Sequence, residues 1–325
     1  MAYKINGTDA VNDDKEGNFV SVTMETDTGF IHLLDPPPMS GTVSGYTSGG
    51  SAPPTSNVID KFPFASDANA TDVGDLTQAR TRPAGQSSSD NGYTSGGYAP
   101  FSGRNTIDKF PFATDANATD VGDLTQARFG SAGQSSYDNG YSSGGFAPPA
   151  VNTIDKFPFA SDANATDVGD LSQARYSATG QSSSDNGYTS GGRSPSLTTT
   201  IDKFPFASDA NATDVGDLTQ ARSAPAGQSS SDNGYTSGGA TPPNVNTIDK
   251  FPFATDANAT DVGDITIAGN YLTGQSSSDN GYTSGGAAPR QTVIDKFPFA
   301  TDANATDVGD LTQGRSFLGG VGQQD

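Results

Sequence analysis

The chain has 325 residues, of which 40 are glycine, 20 are proline and 32% are hydrophobic, a composition that predicts many short strands joined by turns. Its 37 acidic and 17 basic residues give a formal net charge of −20, which repels nucleic acid and excludes recognition of a phosphate backbone. No cysteine is present, so disulfides and thiolate metal sites are excluded. No apolar run approaches the roughly 18 residues of a membrane span, so neither membrane insertion nor a signal peptide is expected.

Residues 1–43 differ in sequence from all that follows. Residues 4–8 and the alternating stretch 18–24 predict a β-hairpin. A segment this short cannot build a sizeable core alone. We therefore expect an arm that serves attachment or oligomerisation.

Six near-copies of one sequence unit fill residues 44–325. The phrase Ile-Asp-Lys-Phe-Pro-Phe begins at Ile59, Ile107, Ile154, Ile201, Ile248 and Ile294. A repeat of about 47 residues is typical of propellers and solenoids, in which each unit buries its apolar face against its neighbours.

Each repeat predicts four short strands, which in the second copy lie near residues 92–97, 106–113, 118–128 and 132–138. A four-stranded antiparallel unit of this length is typical of a propeller blade. Six blades in a closed ring leave no sheet edge exposed. The sequence therefore predicts an all-β fold, a six-bladed β-propeller over residues 44–325. The structural alternative is an open β-solenoid, which needs capping ends.

The last repeat is nearly complete if its Gly322-Gln323 is matched with Gly85-Gln86. Within a repeat, Phe110 and Phe112 fall on one face of the second predicted strand and Ile107 falls on the other. Both faces of the sheet are then apolar, and we expect the two phenylalanines to form the core between blades.

The copies disagree in two places, which we call the first and second windows. The first windows are residues 51–56, 98–105, 146–152, 193–199, 240–246 and 287–291, and the second windows are residues 81–83, 129–131, 176–178, 223–225, 270–272 and 316–320. In an antiparallel meander both sets fall on one rim, which we call the variable face, while constant acidic turns fall on the opposite rim, the acidic face. The large and charged window residues predict a partner-binding surface, formed by Tyr98, Phe101, Arg104, Phe129, Phe146, Tyr176, Arg193, Tyr271 and Arg290.

The constant acidic segment of each repeat has oxygen-bearing side chains at a spacing similar to that of calcium loops. In the first two repeats these are Asp67, Asn69, Asp72, Asp75, Asp115, Asn117, Asp120 and Asp123. The pattern lacks the glycine and the bidentate glutamate of an EF-hand. Two alternatives stay open, a repeated Ca²⁺ site and a turn capped by its own side chains, and the second is favoured. No other cofactor is expected.

The sequence predicts a protein that is not an enzyme. The only histidine, His32, lies in the N-terminal arm, so no His accompanies the abundant Ser and Asp of the repeats. No repeat carries a unique acid or base that breaks the symmetry.

The repeats resemble the Kelch-like repeat proteins of marine bacteriophages, especially contractile-tailed cyanophages. The resemblance covers about residues 45–325 and lies in Asp-Lys-Phe-Pro-Phe, Asn-Ala-Thr-Asp-Val-Gly-Asp-Leu and Gly-Tyr-Thr-Ser-Gly-Gly, while residues 2–8 are similar to the start of phage tail-fibre-type proteins. It implies a virion structural protein, at the tail, baseplate, fibre or capsid surface, that is assembled in the host cytoplasm in several copies per particle.

The expected partners are other virion proteins, contacted through residues 1–43 and the variable face. The functional alternative is a carbohydrate-binding adhesin that recognises a host-surface glycan.

Overall fold

The structure is a computed structural model. It describes residues 41–287 and 289–324 and, before them, residues 4–5, 8–9, 23–26 and 29–32. The chain divides into two compact units, Met1–Pro37 and Pro38–Asp325. Regular structure in the described residues consists of strands, and no helix there has the length and apolarity of a membrane span.

The N-terminal unit contains two short hairpins. Lys4–Ile5 pairs with Thr8–Asp9, and Thr23–Thr26 pairs with Gly29–His32. The predicted pairing of residues 4–8 with residues 18–24 is therefore wrong, because the first segment pairs locally. The partners are Lys4 with Asp9 and Ile5 with Thr8. Residues 18–22 lie outside the described residues.

The larger unit is a six-bladed β-propeller, as the repeat predicts. Each blade is an antiparallel sheet with an innermost, a second, a third and an outer strand. The innermost strands are Ala84–Ser87, Ala132–Ser135, Thr179–Ser182, Ala226–Ser229, Thr273–Ser276 and Gly319–Gln324. The second strands are Gly41–Ser48, Asn91–Ser95, Asn139–Ser143, Asn186–Ser190, Asn233–Ser237 and Asn280–Ser284.

The two remaining strands complete each blade towards its outer edge. The third strands are Val58–Pro63, Ser102–Pro111, Thr153–Pro158, Thr200–Pro205, Thr247–Pro252 and Gln291–Pro298. The outer strands are Thr71–Asp75, Thr119–Arg128, Thr166–Asp170, Thr213–Asp217, Thr260–Asp264 and Thr306–Arg315. The second blade has one additional strand, Tyr98–Ala99, which pairs with Ser102–Pro111.

The blade does not coincide with the sequence repeat. The repeat predicts that residues 132–138 form a fourth strand in the same blade as the three strands before them. This is wrong, because Ala132–Ser135 pairs with Asn139–Ser143 and is the innermost strand of the next blade. Residues 129–131 connect the outer edge of one blade to the axis of the ring. The repeat, as read from Gly-Tyr-Thr-Ser-Gly-Gly, therefore begins at the second strand of a blade.

The ring is closed by strands from opposite ends of the propeller sequence. Gly319–Gln324 supplies the innermost strand of the first blade and pairs with Gly41–Ser48. Gly320 lies opposite Thr47, as Gly85 lies opposite Thr94 in the second blade. The predicted match of Gly322-Gln323 with Gly85-Gln86 is therefore wrong by two residues, because Gly320 takes the axial position and Val321 stands where the other copies have Gln.

The innermost strands approach one another so closely that only glycine fits at one position of each. A Cβ atom at any of these glycines would overlap the carbonyl group of the equivalent glycine in the preceding blade. The six residues, which we call the axial glycines, are Gly85, Gly133, Gly180, Gly227, Gly274 and Gly320. The two cavities along this axis measure only about 100 Å³ each, so the axis has no room for a substrate-sized molecule.

Apolar side chains fill the seams between blades. Phe110 and Phe112 pack against Tyr46, Ile59 and Leu76 of the preceding blade. On the other face of the same sheet, Ile107 belongs to the cluster that includes Phe157 of the following blade. The expected core between blades is confirmed, and full burial of one such phenylalanine stabilises the fold by about 1.5–3 kcal/mol.

Each seam also contains a buried aspartate. Asp108 accepts hydrogen bonds from the backbone and hydroxyl groups of Thr77 and pairs with Arg80 at 2.8 Å, both from the preceding blade. Five seams have this ion pair: Arg80–Asp108, Arg128–Asp155, Arg175–Asp202, Arg222–Asp249 and Arg315–Asp60. Burial lowers the pKa of each guanidinium group, an effect that the neighbouring aspartate opposes.

The seam between the fifth and sixth blades lacks its arginine. Gly269 stands at that position, and a Cβ there would lie 3.5 Å from the side chain of Leu272, which is itself buried. The buried Asp295 keeps its hydrogen bonds from Thr266, 2.8 Å from the backbone nitrogen and 2.7 Å from the hydroxyl. Burial raises the pKa of Asp295, and the bonds from Thr266 oppose that rise. This seam therefore buries a carboxylate with no guanidinium beside it.

The axial glycines predict a large effect of a single methyl group. Gly180→Ala places a Cβ against the backbone of Gly133, which has no flexible side chain to move aside. We expect a loss of about 3 kcal/mol in the free energy of unfolding, measured by urea titration. The matched control is Gly314→Ala, because the equivalent residue in the second repeat is Ala127 and the new Cβ would lie 3.3 Å from its nearest neighbour. Equal stability of the two variants would contradict the close packing at the axis.

Because one seam lacks the arginine, we expect substitution of two equivalent aspartates to change the free energy of unfolding by different amounts. Asp249→Asn leaves the buried guanidinium of Arg222 without its counter-charge, and we expect a loss of about 3 kcal/mol or more in the free energy of unfolding at neutral pH. Asp295→Asn removes an unpaired buried charge and is expected to stay within about 1 kcal/mol of the wild type.

The same pair has a predicted pH dependence. Burial holds the folded-state pKa of Asp295 above its unfolded value, so the folded protein binds this proton more tightly. The contribution of the protonated Asp295 to the free energy of unfolding is complete below the unfolded-state pKa and is lost as the pH rises through the folded-state pKa. Wild type should therefore gain stability relative to Asp295→Asn as the pH falls to about 4, which urea titration at each pH measures. A constant difference between the two proteins would contradict the raised pKa.

Candidate binding face

The two sets of windows meet in pairs around one rim of the propeller. Each second window forms an antiparallel bridge with a first window of the adjacent repeat. The bridged pairs are Thr81 with Tyr98, Phe129 with Phe146, Tyr176 with Arg193, Ser223 with Ala240, Asn270 with Ala287, and Ser316 with Ser51. The prediction that both windows lie on one face is confirmed. The turns at Asp90 and Phe112 meet on the acidic face, where the Phe112 backbone N–H donates to the Asp90 carbonyl.

A ring of six backbone hydrogen bonds surrounds the axis on the variable face. The second residue of each second window donates its N–H to the carbonyl of the second residue of the preceding one, at 2.7–2.9 Å. These residues, which we call the axial collar, are Arg82, Gly130, Ser177, Ala224, Tyr271 and Phe317. All have φ between 53° and 66°, a left-handed conformation that is uncommon for residues other than glycine. The collar thus fixes the direction of the five side chains that its residues other than Gly130 carry.

The collar has large side chains on one half and small ones on the other. The guanidinium of Arg82 lies 4.4 Å from the ring centroid of Phe317 and 5.5 Å from that of Tyr271. It also lies 5.4 Å from the ring of Phe129, so three aromatic rings surround this cation. Gly130, Ser177 and Ala224 occupy the other half.

An aromatic arc beside the collar joins windows of successive repeats. The rings of Tyr98 and Phe129 are 5.0 Å apart, those of Phe129 and Phe146 are 5.4 Å apart, and those of Phe146 and Tyr176 are 5.0 Å apart. Arg193 lies over the ring of Tyr176 at 5.9 Å. The fold therefore brings these five predicted residues into one continuous row.

A hairpin of the second blade rises beside this arc. Tyr98–Ala99 pairs with Ser102 and Gly103, and Phe101 lies in the turn with 96% of its surface exposed. The Arg104 side chain donates hydrogen bonds to the oxygens of Gln78 and Ser102, both at 2.7 Å. These bonds tie the hairpin to the blade and hold Phe101 in place.

The hairpin, the arc and the collar enclose a groove of about 700 Å³. Its lining is Ser51, Thr81, Arg82, Tyr98, Phe101, Ser102, Gly103, Ala127, Phe129, Phe146, Pro148 and Phe317. Among the predicted residues, Tyr98, Phe101, Phe129 and Phe146 line it. Tyr271 lies in the collar behind Arg82, whereas Arg290 donates instead to the backbone and hydroxyl oxygens of Ser51.

Sequence reasoning missed Arg82 and Phe317, which are central to this groove. Both are the second residue of a second window, as the predicted residue Tyr271 is. Comparing the residues at this one position in all six second windows, rather than choosing large residues by type, could have identified both.

The variable face is the cationic face of an acidic protein. Fifteen of the 17 basic residues lie in the repeats, because only Lys4 and Lys15 precede them. Eleven of the fifteen form ion pairs with aspartates. The other four, for which the described residues provide no carboxylate partner, are Arg82, Arg104, Arg193 and Arg290. All four belong to windows, and no window contains Asp or Glu.

Six of the eight candidate metal ligands bind groups of the protein through their side chains, whereas Asp75 and Asp123 contribute only their backbone N–H groups to the described contacts. Asp67 pairs with Lys296, and the Asn69 side-chain oxygen accepts a hydrogen bond from the backbone of Asp310 in the adjacent blade. Asp72 accepts one from its own turn, at Gly74. In the second repeat, the corresponding partners are Lys61 for Asp115, the Asp75 backbone for Asn117 and the Gly122 backbone for Asp120, while the Asp123 backbone donates to Asn164.

These contacts favour the capped turn over the Ca²⁺ site. The carboxylates and amides point to different partners on two blades, and the described residues contain no group of three or more His, Cys, Asp or Glu placed to hold a metal ion. The exposed pair Lys61–Asp115, at 3.3 Å, is of a kind that contributes about 1 kcal/mol or less.

A comparison with models of known protein families finds none that matches the chain, and a search among curated proteins finds no significant similarity.

Addition of Ca²⁺ distinguishes a repeated Ca²⁺ site from a turn capped by its own side chains. We expect the melting temperature to be the same in millimolar Ca²⁺, in millimolar Mg²⁺ and in chelator, because six of the eight candidate side chains already have partners in the protein. A ligand that binds only the folded state adds about 2.7 kcal/mol when present at 100 times its Kd. A rise in melting temperature with Ca²⁺ but not with Mg²⁺ would therefore support the repeated Ca²⁺ site.

Proposed function

We propose that this protein is a non-enzymatic binding component of a bacteriophage particle, and that its variable face holds the partner. The observation that carries the proposal is that the windows, where the copies differ, lie together on one face. A surface that only supported the fold would repeat with the blades, as the axial glycines do. A surface that holds an asymmetric partner must differ from blade to blade.

The arrangement of charged groups supports a binding role over a catalytic one. Each of the six buried aspartates accepts hydrogen bonds from the preceding blade, at Thr312, Thr77, Thr125, Ser172, Thr219 or Thr266. Five of them also pair with arginine, so these carboxylates are committed to joining blades. The groove on the variable face instead presents aromatic rings and one half-buried guanidinium, groups that bind and orient a ligand.

The resemblance to phage repeat proteins supports a location in the phage particle. In this proposal the N-terminal unit, Met1–Pro37, attaches the propeller to the virion, a shorter segment than the expected residues 1–43 because Gly41–Ser48 belongs to the first blade. Several copies are present, and the variable face contacts a neighbouring virion protein or a molecule on the host surface. Tail, baseplate, fibre and capsid surface are all positions that such a contact would suit.

The absence of cysteine allows a direct test by single-site crosslinking. Ser102→Cys places a thiol in the groove, and Ser89→Cys places one on the acidic face; both residues are exposed, and each change replaces one oxygen by sulfur. With a maleimide photo-crosslinker attached, we expect the Ser102→Cys protein, incorporated into particles, to capture a discrete partner and the Ser89→Cys protein to capture none. Equal capture from both faces, or a protein that never joins particles, would contradict the proposal.

A further inference from the structure

We propose that the groove beside Arg82 binds an anionic saccharide, with the acidic group of the sugar on the Arg82 guanidinium and its ring against Tyr98 or Phe101. This inference rests on the proposed function, since it names the occupant of the same face. It commits to one acidic sugar residue, whose carboxylate or sulfate is the recognised group.

The size and shape of the groove favour a discrete ligand. Its volume of about 700 Å³ lies within the range of small-molecule sites, about 300–1,000 Å³, and it occupies one sector of the ring instead of the whole rim. A flat protein partner would use the broad face, whereas this concave sector accepts a group the size of one or two sugar rings.

Charge argues for an anion. Arg82 has no ion-pair partner among the described residues, and the windows around it contain no carboxylate. The centroids of three aromatic rings lie 4.4–5.5 Å from the Cζ atom of Arg82. The N–H groups of this guanidinium have no protein acceptor among the described contacts. A planar guanidinium of this kind matches a carboxylate or sulfate with two parallel hydrogen bonds.

The remaining lining argues for a hydroxylated ring. Tyr98 is 39% exposed and Phe101 is 96% exposed, so two aromatic faces are open to an apolar sugar surface. The hydroxyl groups of Ser51, Thr81 and Ser102 line the same groove and can exchange hydrogen bonds with sugar hydroxyls.

The backbone of the groove argues against an acidic peptide. Peptides that lie along a sheet bind through free main-chain groups. Here the N–H and C=O groups of Thr81 and Tyr98 bond each other, and those of Arg82 are both used by the axial collar. Recognition at this site must therefore come from side chains, which suits a saccharide.

The test is calorimetric titration of the full chain with matched acidic and neutral sugars. The probes are 3′-sialyllactose with lactose, digalacturonic acid with its methyl ester, and a sulfated chondroitin disaccharide with its unsulfated form. We expect at least one acidic member to bind, its neutral partner to bind about tenfold more weakly or not at all, and the affinity to fall as salt is raised.

Variants locate the site. Arg82→Ala should weaken binding by about tenfold or more, and Arg82→Lys should recover only part of it, because an ammonium group lacks the planar fork. Phe101→Ala changes only an exposed side chain and should weaken binding several-fold with an unchanged melting temperature. Lys296→Ala removes one positive charge from the acidic face, away from the groove, so its affinity should equal that of the wild type.

The outcomes separate this inference from the proposed function. If no acidic sugar binds while the Ser102→Cys protein still captures a partner in particles, the saccharide is wrong and the binding function stands. Binding of a hexaglutamate peptide that depends on Arg82, with no sugar binding, would also overturn the saccharide. Equal affinity for acidic and neutral sugars would overturn the role of Arg82. Failure of both sugar binding and crosslinking would overturn both proposals.

Discussion

The contact between innermost strands at the axial glycines is the constraint on which the rest of the propeller depends. Backbone meets backbone there, so each blade is held at a fixed distance from the axis and from its neighbours. The same contact leaves only small cavities along the axis, which removes the central channel as a place for a ligand. Binding is consequently displaced to the faces, and the collar on the variable face is where six loops come nearest to one another.

Stability and recognition are carried by different parts of each repeat. The seams combine buried phenylalanines with the Arg–Asp pairs, and these residues recur with one exception, at Gly269. Because the seams stabilise the ring, the windows are free to differ in length and residue type. The windows in turn supply the four arginines that have no carboxylate partner among the described residues, so a protein with a charge of −20 presents one cationic face.

Much of the fold could be predicted from the repeat, because period, turn residues and alternation specify a four-stranded unit and its burial. The same pattern placed Phe110 in the seam and both windows on one rim. The repeat could not show where a blade begins, because a periodic sequence has no natural origin. The start of a blade is set by the strand that reaches the axis. This ambiguity explains the errors at residues 132–138 and at Gly322. Tyr98 and Phe129 could be predicted on the rim, but Arg82 could not, because its direction follows from a left-handed backbone imposed by the collar.

The offset between blade and repeat has a consequence for how such a chain can change its length. The six copies are nearly identical, so recombination between two of them would remove or insert whole repeats. Whatever the number, the final innermost strand, Gly319–Gln324, still comes last and still finds Gly41–Ser48 to pair with. The pairing of the first and last strands is thus independent of copy number, whereas the close contacts between axial glycines fit a ring of six blades.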